Sequence, residues 1–383
     1  MTKVFIVAAE RSGDDLGAGL IKVLRQQDKT LLIEGIGGGA MRHMGVISQM
    51  DIQGLSILGF VEGLKHYPMI LRKVRECCDC IIQSRSEAVV LIDSWGFMIR
   101  VAKRLQKLGY KGQIIKYVAP QVWAMRAGRS KILARHVDLL LSIQPMDAPF
   151  FEPHGLDTIY VGNPIFDTDY RSGDADKIRK CVGNDRDAVL SIWFGSRPSE
   201  ISQLAGDFIK VVKQLKAQNP NLSVVSAVAQ SVRADVETAL DKASVHNDIT
   251  LFDEVSKKDV MAASTAALAC SGTVTTQLAS AGVPTIVAYR LNGLTFWAAK
   301  KLFKPSYISI VNIAAEAPLM PEFIQDAATP VNLAKALNEY LGNFESRENA
   351  SKALLGQTDK MGAGTGQYAN EKAASAILTA LNF

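Results

Sequence analysis

Short apolar runs alternate with amphipathic stretches along the first 143 residues of the chain. Leu16, Leu20 and Leu24 recur at the spacing of one helix face, whereas the apolar runs are continuous, as in buried strands. Because parallel strands are joined by long crossovers, usually helices, this alternation predicts a parallel sheet. We predict its strands at residues 4–9, 31–33, 89–92, 114–118 and 137–143.

Periodicity is lost between residues 151 and 186, where prolines, glycines and charged residues are typical of a linker. The alternation then returns, with strands predicted at residues 189–193, 224–228, 249–252, 266–270 and 285–288, and a helical pattern beyond residue 329. We therefore predict an α/β protein with two doubly wound parallel-sheet domains that face a cleft. The predicted first domain spans residues 1–165, joined by the C-terminal helices at about 345–383; the linker spans 166–185 and the second domain 186–344.

Composition and charge narrow the functional classes. The chain has 383 residues, 48% hydrophobic and 21% charged, as expected of an ordinary globular protein with two domains. A net charge of +5 gives no argument for nucleic acid as a partner, but it permits local attraction to phosphates or an anionic membrane.

The cysteines and the N-terminal sequence indicate the cellular compartment in which the protein is expected. Five cysteines without His-rich partners predict reduced thiols and no zinc site. The first residues lack a secretion signal, and no run of about 18 apolar residues is present. We expect a cytoplasmic protein without a membrane span.

Polar residues directly after the strands are the first candidates for function, because open α/β sheets bind ligands at the carboxyl ends of their strands. Glu10 and Ser12 lie in the turn after the first strand, where backbone amides can hold an anion or a sugar hydroxyl. Asp93 ends the apolar strand at 89–92, where partial desolvation makes a carboxylate a usable proton acceptor. An ordinary helix N-cap is the alternative role for both turns.

Two turns of the second domain have the composition of phosphate sites. After the strand at 189–193, Gly195 permits close backbone approach, Ser196 can cap a helix, and Arg197 offers a planar fork to phosphate oxygens. The second turn opens a helix whose positive dipole end suits a diphosphate. It consists of the small residues Ser271, Gly272 and Thr273.

Two other patterns match ligand motifs only superficially. Residues 35–40 (GIGGGA) have the glycine spacing of a dinucleotide fingerprint, but they follow the second strand and lack an acidic residue about 20 positions later. Asp167 and Asp169 resemble paired metal-binding acids, yet no predicted strand precedes them. We predict no redox cofactor and no metal, and interpret the two aspartates as a solvated turn.

Motifs in both halves of the chain occur in an order and spacing that is specific only when they are taken together. They are residues 10–14 (ERSGD), 58–62 (LGFVE), 92–94 (IDS), 117–126 (YVAPQVWAMR), 161–164 (VGNP), 195–197 (GSR), 271–273 (SGT), 288–290 (AYR) and 309–312 (SIVN). This set, which covers essentially the whole chain, resembles the lipid-A-disaccharide synthase family, inverting glycosyltransferases of Gram-negative outer-membrane synthesis.

The resemblance implies a glycosyltransferase-B fold that transfers the sugar of UDP-2,3-diacylglucosamine to 2,3-diacylglucosamine 1-phosphate without a cofactor or metal. The implied products are the acylated disaccharide 1-phosphate and UDP. Asp93 would be the general base, with Glu10 and Ser12 shaping the acceptor side of the site. The implied nucleotide-sugar residues are Gly195, Ser196, Arg197, Ser271, Gly272, Thr273, Gln277, Tyr289, Arg290 and Asn312.

Four positions depart from the family pattern: Ala9 replaces Gly, Asn163 replaces His, Phe194 replaces Pro and Gln277 replaces Glu. The last matters most, because a Glu there commonly accepts hydrogen bonds from ribose hydroxyls. Gln accepts without charge assistance, which predicts nucleotide binding weaker by roughly 1 kcal/mol. Two alternatives stay open: an enzyme similar to UDP-N-acetylglucosamine 2-epimerase, and a non-catalytic relative that binds nucleotide or lipid.

Acylated substrates come from a membrane, and residues 64–73 and 296–304 mix apolar, aromatic and basic side chains. Each segment is also compatible with an amphipathic core helix that has a solvated basic face. We expect peripheral contact with an anionic membrane, on the inner face of the inner membrane, and a homo-oligomer is compatible with the sequence. The predicted acceptor and membrane residues are Leu64, Tyr67, Ile70, Leu71 and Arg126.

Overall fold

The computed structural model describes residues 2–52, 67–124, 126–183, 187–291, 305–366 and 368–381. The chain divides into two compact units. The first contains Met1–Asp167 and Gly366–Phe383, and the second contains Thr168–Ala299 and Pro305–Thr365.

A six-stranded parallel sheet with strand order β2-β1-β3-β4-β5-β6 forms the centre of the first unit. Its strands are β1 (Lys3–Ala8), β2 (Leu32–Ile36), β3 (Ala88–Ile92), β4 (Gln113–Tyr117), β5 (Leu139–Ser142) and β6 (Asp157–Tyr160). The helices described up to Asp167 are α1 (Arg11–Gln27), α2 (Gly39–His43), α3 (Tyr67–Ser84), α4 (Trp95–Lys107), α5 (Arg129–Ala134) and α6 (Ala148–Phe151).

The second unit has a matching parallel sheet with strand order β12-β11-β10-β7-β8-β9. Its strands are β7 (Val189–Trp193), β8 (Ser223–Val228), β9 (Thr250–Asp253), β10 (Ala266–Cys270), β11 (Thr285–Tyr289) and β12 (Glu322–Ile324). The helices described from residue 168 onward are α7 (Ala175–Val182), α8 (Pro198–Gln218), α9 (Arg233–Lys242), α10 (Lys257–Ala263), α11 (Thr273–Ser280), α12 (Ile310–Ala315), α13 (Pro330–Gly342), α14 (Phe344–Lys360) and α15 (Ala369–Leu381).

Helices cover both faces of each sheet, and the sequence of the central strands reflects this. Phe5 and Val7 of β1 join the core on one face, whereas Val4 and Ile6 join the core on the other. Every residue of β3 is buried, as is every residue of β10, so these strands are continuous apolar runs. The predicted fold class, two doubly wound parallel sheets, is confirmed.

The edges of the sheets and the assignment of two helices differ from the prediction. β6 and β12 went unpredicted because each is a short, partly exposed edge strand without an apolar run. The predicted linker includes α7, which belongs to the second unit. The two last helices separate: α14 packs on α11 and α13 of the second unit, whereas α15 buries Ala373 and Ile377 in the first unit, against α1. Among the helices described, none is long and apolar enough to span a membrane.

Candidate active site

Three residues in the left-handed backbone region lie at the carboxyl ends of two neighbouring strands of the first unit. β3 is followed by Asp93 (φ 49°) and Ser94 (φ 41°), and β4 by Val118 (φ 71°). A positive φ is a true outlier for a β-branched residue such as Val118. Strained backbone clusters at functional sites, where surrounding interactions maintain it. This edge is therefore the strongest marker of a site in the first unit.

Asp93 is half-buried, and its backbone is fixed by two hydrogen bonds. Its amide donates to the carbonyl of Tyr117 at 2.9 Å, and its own carbonyl accepts from Nζ of Lys116 at 2.8 Å. Within the part of the chain that the structure describes, no hydrogen-bond donor contacts the Asp93 carboxylate. The N-cap position of α4 belongs to Ser94. A fixed backbone with free carboxylate oxygens suits a proton acceptor.

Glu10 contacts the same edge from β1. Its Oε1 atom accepts a hydrogen bond of 2.5 Å from Oγ of Ser94, next to Asp93 in the chain. Glu10 occupies the N-cap position of α1 but makes no side-chain capping bond there. Ser12 lies exposed in the first turn of α1, so it is not the cap residue that the sequence suggested.

Asp14, which sequence reasoning missed, explains the glycine-rich segment at residues 35–40. Its carboxylate is 4% exposed and accepts from the amides of Gly38 at 2.7 Å, Ala40 at 2.8 Å and Met41 at 3.1 Å. These amides surround the start of α2, and free amides at a helix start are a common binding site for a phosphate. An internal carboxylate therefore occupies the position that a phosphate would need.

Lys116 is a second residue that sequence reasoning missed. It is 2% exposed, and its Nζ atom donates to the carbonyl oxygens of Asp93 at 2.8 Å and Tyr117 at 2.9 Å. Burial lowers the pKa of Lys116 to about 7, opposed by the negative charge of Asp93. The signal was present in the sequence, since Lys116 interrupts an otherwise apolar run in β4.

The loop after β4 is anchored by a buried carboxylate. Asp147 accepts from Nε1 of Trp123 at 3.1 Å and from Oγ of Ser142 at 2.7 Å. Burial raises the pKa of Asp147 to about 6, and the bonds from Ser142 and Trp123 partly oppose that rise. Trp123, part of the 117–126 motif, is thereby tied to the carboxyl end of β5.

The five predicted acceptor and membrane residues have different environments. Leu64 lies outside the described residues. Tyr67 and Arg126 are exposed, and Leu71 is half-buried. Ile70 is 9% exposed and packs in the core of the first unit, because it lies on the inward face of α3. It is therefore unavailable for contact with lipid.

In the second unit, the turn after β7 is closed around a carboxylate. Gly195 has φ 105°, and a Cβ atom there would collide with the Glu200 side chain. Oε2 of Glu200 accepts from the amides of Ser196 at 2.9 Å and Arg197 at 3.2 Å. The Arg197 side chain is 71% exposed and lies 3.3 Å from Oε1 of Glu200. Glu200, also missed from sequence, shapes this turn while leaving Arg197 accessible.

The loop after β10 exposes the start of α11. Gly272 and Thr273 are exposed, Ser271 is half-buried, and the N-cap residue Gly272 provides no side-chain cap. Amides of the first turn are therefore available to an anion. One helical turn further on, Nε2 of Gln277 donates to the hydroxyl of the buried Tyr170 at 2.9 Å.

Tyr289 and Arg290 lie at the carboxyl end of β11 but differ in their contacts. Burial raises the pKa of Tyr289, and its partly buried ring packs against the core of the second unit. Arg290 instead donates to Oδ2 of Asp207 at 2.7 Å and to the carbonyl of Ala328 at 2.9 Å. The guanidinium of Arg290 is therefore engaged in structural contacts within the second unit.

Asn312 is fully buried, and both ends of its amide are bonded. Its Nδ2 atom donates to the carbonyl of Met320 at 2.7 Å and to Glu322 at 2.9 Å, and its Oδ1 atom accepts from the Met320 amide at 2.9 Å. Glu322 also accepts from the amides of Ile308 and Ser309, at 2.8 Å each. The structure thus gives Asn312 a role in holding the segment between α12 and β12.

Asp167 and Asp169 make separate contacts within the protein. Asp167 accepts from the amides of Ala369 at 2.7 Å and Asn370 at 3.1 Å and so caps α15, which corrects the interpretation of both aspartates as a solvated turn. Asp169 accepts from the amide of Arg171 at 2.9 Å. Searched over the described residues, the structure contains no cluster of His, Cys, Asp and Glu that could hold a metal ion.

Two doubly wound parallel units define a protein of the glycosyltransferase-B fold class. The structure is similar to the S. aureus MnaA–UDP complex, with a TM-score of 0.67 and 15% identity over 99% of this chain and 95% of that one. It is also similar to Neisseria meningitidis UDP-GlcNAc 2-epimerase bound to UDP-GlcNAc, with a TM-score of 0.63 and 11% identity over the whole of both chains. At such identities these likenesses show the fold alone.

Sequence comparison identifies the family. The chain belongs to the lipid-A-disaccharide synthetase family, whose model matches residues 4–378. It is 36% identical to the lipid-A-disaccharide synthase of Rhodospirillum centenum over 90% of this chain and 86% of that protein. It is 34% identical to the enzyme of the same name from Paramagnetospirillum magneticum, over 98% of this chain and 96% of that protein.

Proposed function

We propose that the protein is a hexosyltransferase that condenses UDP-2,3-diacylglucosamine with 2,3-diacylglucosamine 1-phosphate. The observation that most supports this, in a chain of this family, is the free carboxylate of Asp93 on a strained, doubly anchored backbone. The products are the acylated disaccharide 1-phosphate and UDP.

In the proposed reaction, Asp93 accepts the proton of the acceptor 6-hydroxyl. The oxygen attacks C1 of the donor sugar from the face opposite the diphosphate, forming the new glycosidic bond with inversion. The bond between C1 and the diphosphate oxygen breaks, and UDP leaves with the electron pair. Glu10, through its bond to Ser94, helps to fix the turn that holds Asp93.

The second unit is proposed to bind the nucleotide and to stabilise the charge of the departing UDP. Arg197 is exposed beside the Gly195 turn, and no side chain caps the amides of Gly272 and Thr273 at the start of α11. A guanidinium and a helix N-terminus both favour a developing diphosphate charge. Gln277 and Tyr289 are proposed to contact the nucleoside side.

Peripheral membrane contact is proposed at the start of α3. Tyr67, Pro68, Arg72 and Arg75 are exposed there, and Leu71 is half-buried. Aromatic and basic residues that surround apolar ones suit the interface of an anionic bilayer. This face would bring the acceptor-side unit to the membrane from which acylated substrates are taken.

The product of the purified protein tests the proposed function. We expect mass spectrometry to show the tetraacylated disaccharide 1-phosphate, and UDP in equal amount, when both acylated sugars are supplied. Formation of UDP-N-acetylmannosamine from UDP-N-acetylglucosamine, with no disaccharide, would instead support a 2-epimerase. Binding of UDP or lipid with neither product would support a non-catalytic relative.

A further inference from the structure

We propose that Lys116 is a positioning residue for sugar transfer: its buried ammonium fixes the backbone of Asp93 and thereby the direction of the Asp93 carboxylate. This inference rests on the proposed function, because it requires Asp93 to act as the base. Lys116 is not proposed to touch substrate.

The bonds of Lys116 join the ends of two neighbouring strands. Its Nζ atom donates to the carbonyl of Asp93, just after β3, and to the carbonyl of Tyr117, the last residue of β4. The Tyr117 carbonyl also accepts from the Asp93 amide at 2.9 Å. Three hydrogen bonds therefore form one connected group at the point where both strands leave the sheet.

These three hydrogen bonds lie next to three residues with strained backbone at the carboxyl ends of β3 and β4. Asp93, Ser94 and Val118 have φ values of 49°, 41° and 71°. Left-handed backbone costs on the order of 1–3 kcal/mol for each such residue and persists only where neighbouring interactions over-determine it. Lys116 supplies the side-chain donor to the Asp93 carbonyl, and its loss would leave that carbonyl without this partner.

Stability alone does not account for a lysine at this position. Lys116 is 2% exposed in a strand whose neighbours are apolar, and burial of an ammonium is costly. An apolar side chain would avoid that cost. Burial lowers the pKa of Lys116 to about 7, and the negative charge of Asp93 opposes the shift.

Lys116→Met tests the proposal, because methionine keeps the volume and removes the donors. We expect kcat for disaccharide formation to fall about 100-fold, the scale of a misplacement of roughly 1 Å, with KM for both sugars within threefold of the wild type. Lys3→Met is the matched control, since Lys3 lies in the same sheet at the amino end of β1 and pairs with Glu34; it should keep the wild-type kcat.

A double-mutant cycle separates positioning from general structural support. If Lys116 acts through Asp93, then Lys116→Met should lower kcat less than threefold in an Asp93→Asn background. An equal loss in both backgrounds would overturn the proposal, as would a wild-type kcat for Lys116→Met alone. Lys116→Gln, which keeps a donor nitrogen on a shorter side chain, should have an intermediate kcat, and a wild-type value would contradict the proposal even if the Met variant did not fold.

The cycle also distinguishes failure of this inference from failure of the proposed function. A wild-type protein that forms no disaccharide contradicts the function itself. An active wild type, an impaired Asp93→Asn variant and a fully active Lys116→Met variant contradict the positioning role alone.

Discussion

Gln277 offers a gain-of-affinity prediction at the nucleotide site. In the structure, Nε2 of Gln277 donates to the hydroxyl of Tyr170 at 2.9 Å. Gln277→Glu would reverse that bond, because the Tyr170 hydroxyl can donate to a carboxylate. The second carboxylate oxygen would then be a charged acceptor for ribose hydroxyls, and Lys257, 5.8 Å from the centre of the Tyr170 ring, would favour the added negative charge.

The expected gain follows from the difference between charged and neutral hydrogen bonds. Charge assistance is worth about 1 kcal/mol for one bond, which corresponds to roughly fivefold tighter binding. Isothermal titration calorimetry with UDP should show this gain for Gln277→Glu. The control Gln277→Met, which has neither donor nor acceptor, should bind UDP no more tightly than the wild type. A folded Gln277→Glu variant with unchanged or weaker affinity would refute the assignment of Gln277 to the ribose.

Three further perturbations address other parts of the structure. Burial raises the pKa of Asp147 to about 6, so between about pH 4 and 6 Asp147 is more protonated in the native protein than in the unfolded chain. The contribution of Asp147 to the free energy of unfolding therefore falls as pH rises through that window. Asp147→Asn should remove up to about 3 kcal/mol of this pH dependence in urea titrations, and an identical pH dependence in both proteins would contradict the assignment. Gly195→Ala should destabilise the second unit by about 1–3 kcal/mol in urea and weaken UDP binding, because alanine tolerates φ 105° poorly and its Cβ would displace Glu200; wild-type stability would show that the turn relaxes. The double substitution Arg72→Glu and Arg75→Glu should weaken co-sedimentation with phosphatidylglycerol vesicles at least tenfold, because each basic residue contributes about 1 kcal/mol to binding. Lys180→Glu, at an exposed position of α7, should not weaken it. Equal binding by both variants would exclude α3 as the membrane contact.

The central strands could be predicted from sequence because burial of a whole strand selects apolar residues along it. β3, β7 and β10 are buried along their whole length. β3 and β10 are therefore continuous apolar runs, and β7 is interrupted only by Ser191. The short edge strands β6 and β12 have mixed exposure, and only pairing with a neighbour distinguishes them from loops.

Candidate site residues could be proposed from sequence where a turn directly follows a strand, but contacts between two distant segments could not. Asp93 and Arg197 belong to the first kind. Asp14 bonds amides 24–27 residues away, and Glu322 bonds amides 13–14 residues before it, so neither role is visible in local sequence. The same limitation explains Asn312, whose motif suggested a ligand contact although its amide is bonded within the protein on both ends.

The rate of disaccharide formation by Asp93→Asn tests the central claim most directly. The side chain keeps its size but cannot accept the proton, so kcat should fall by about 10²–10⁴-fold. UDP affinity should remain within twofold of the wild type, because Asp93 belongs to the first unit and the nucleotide is assigned to the second. A wild-type kcat for this variant, with an intact fold, would contradict the assignment of Asp93 as the base.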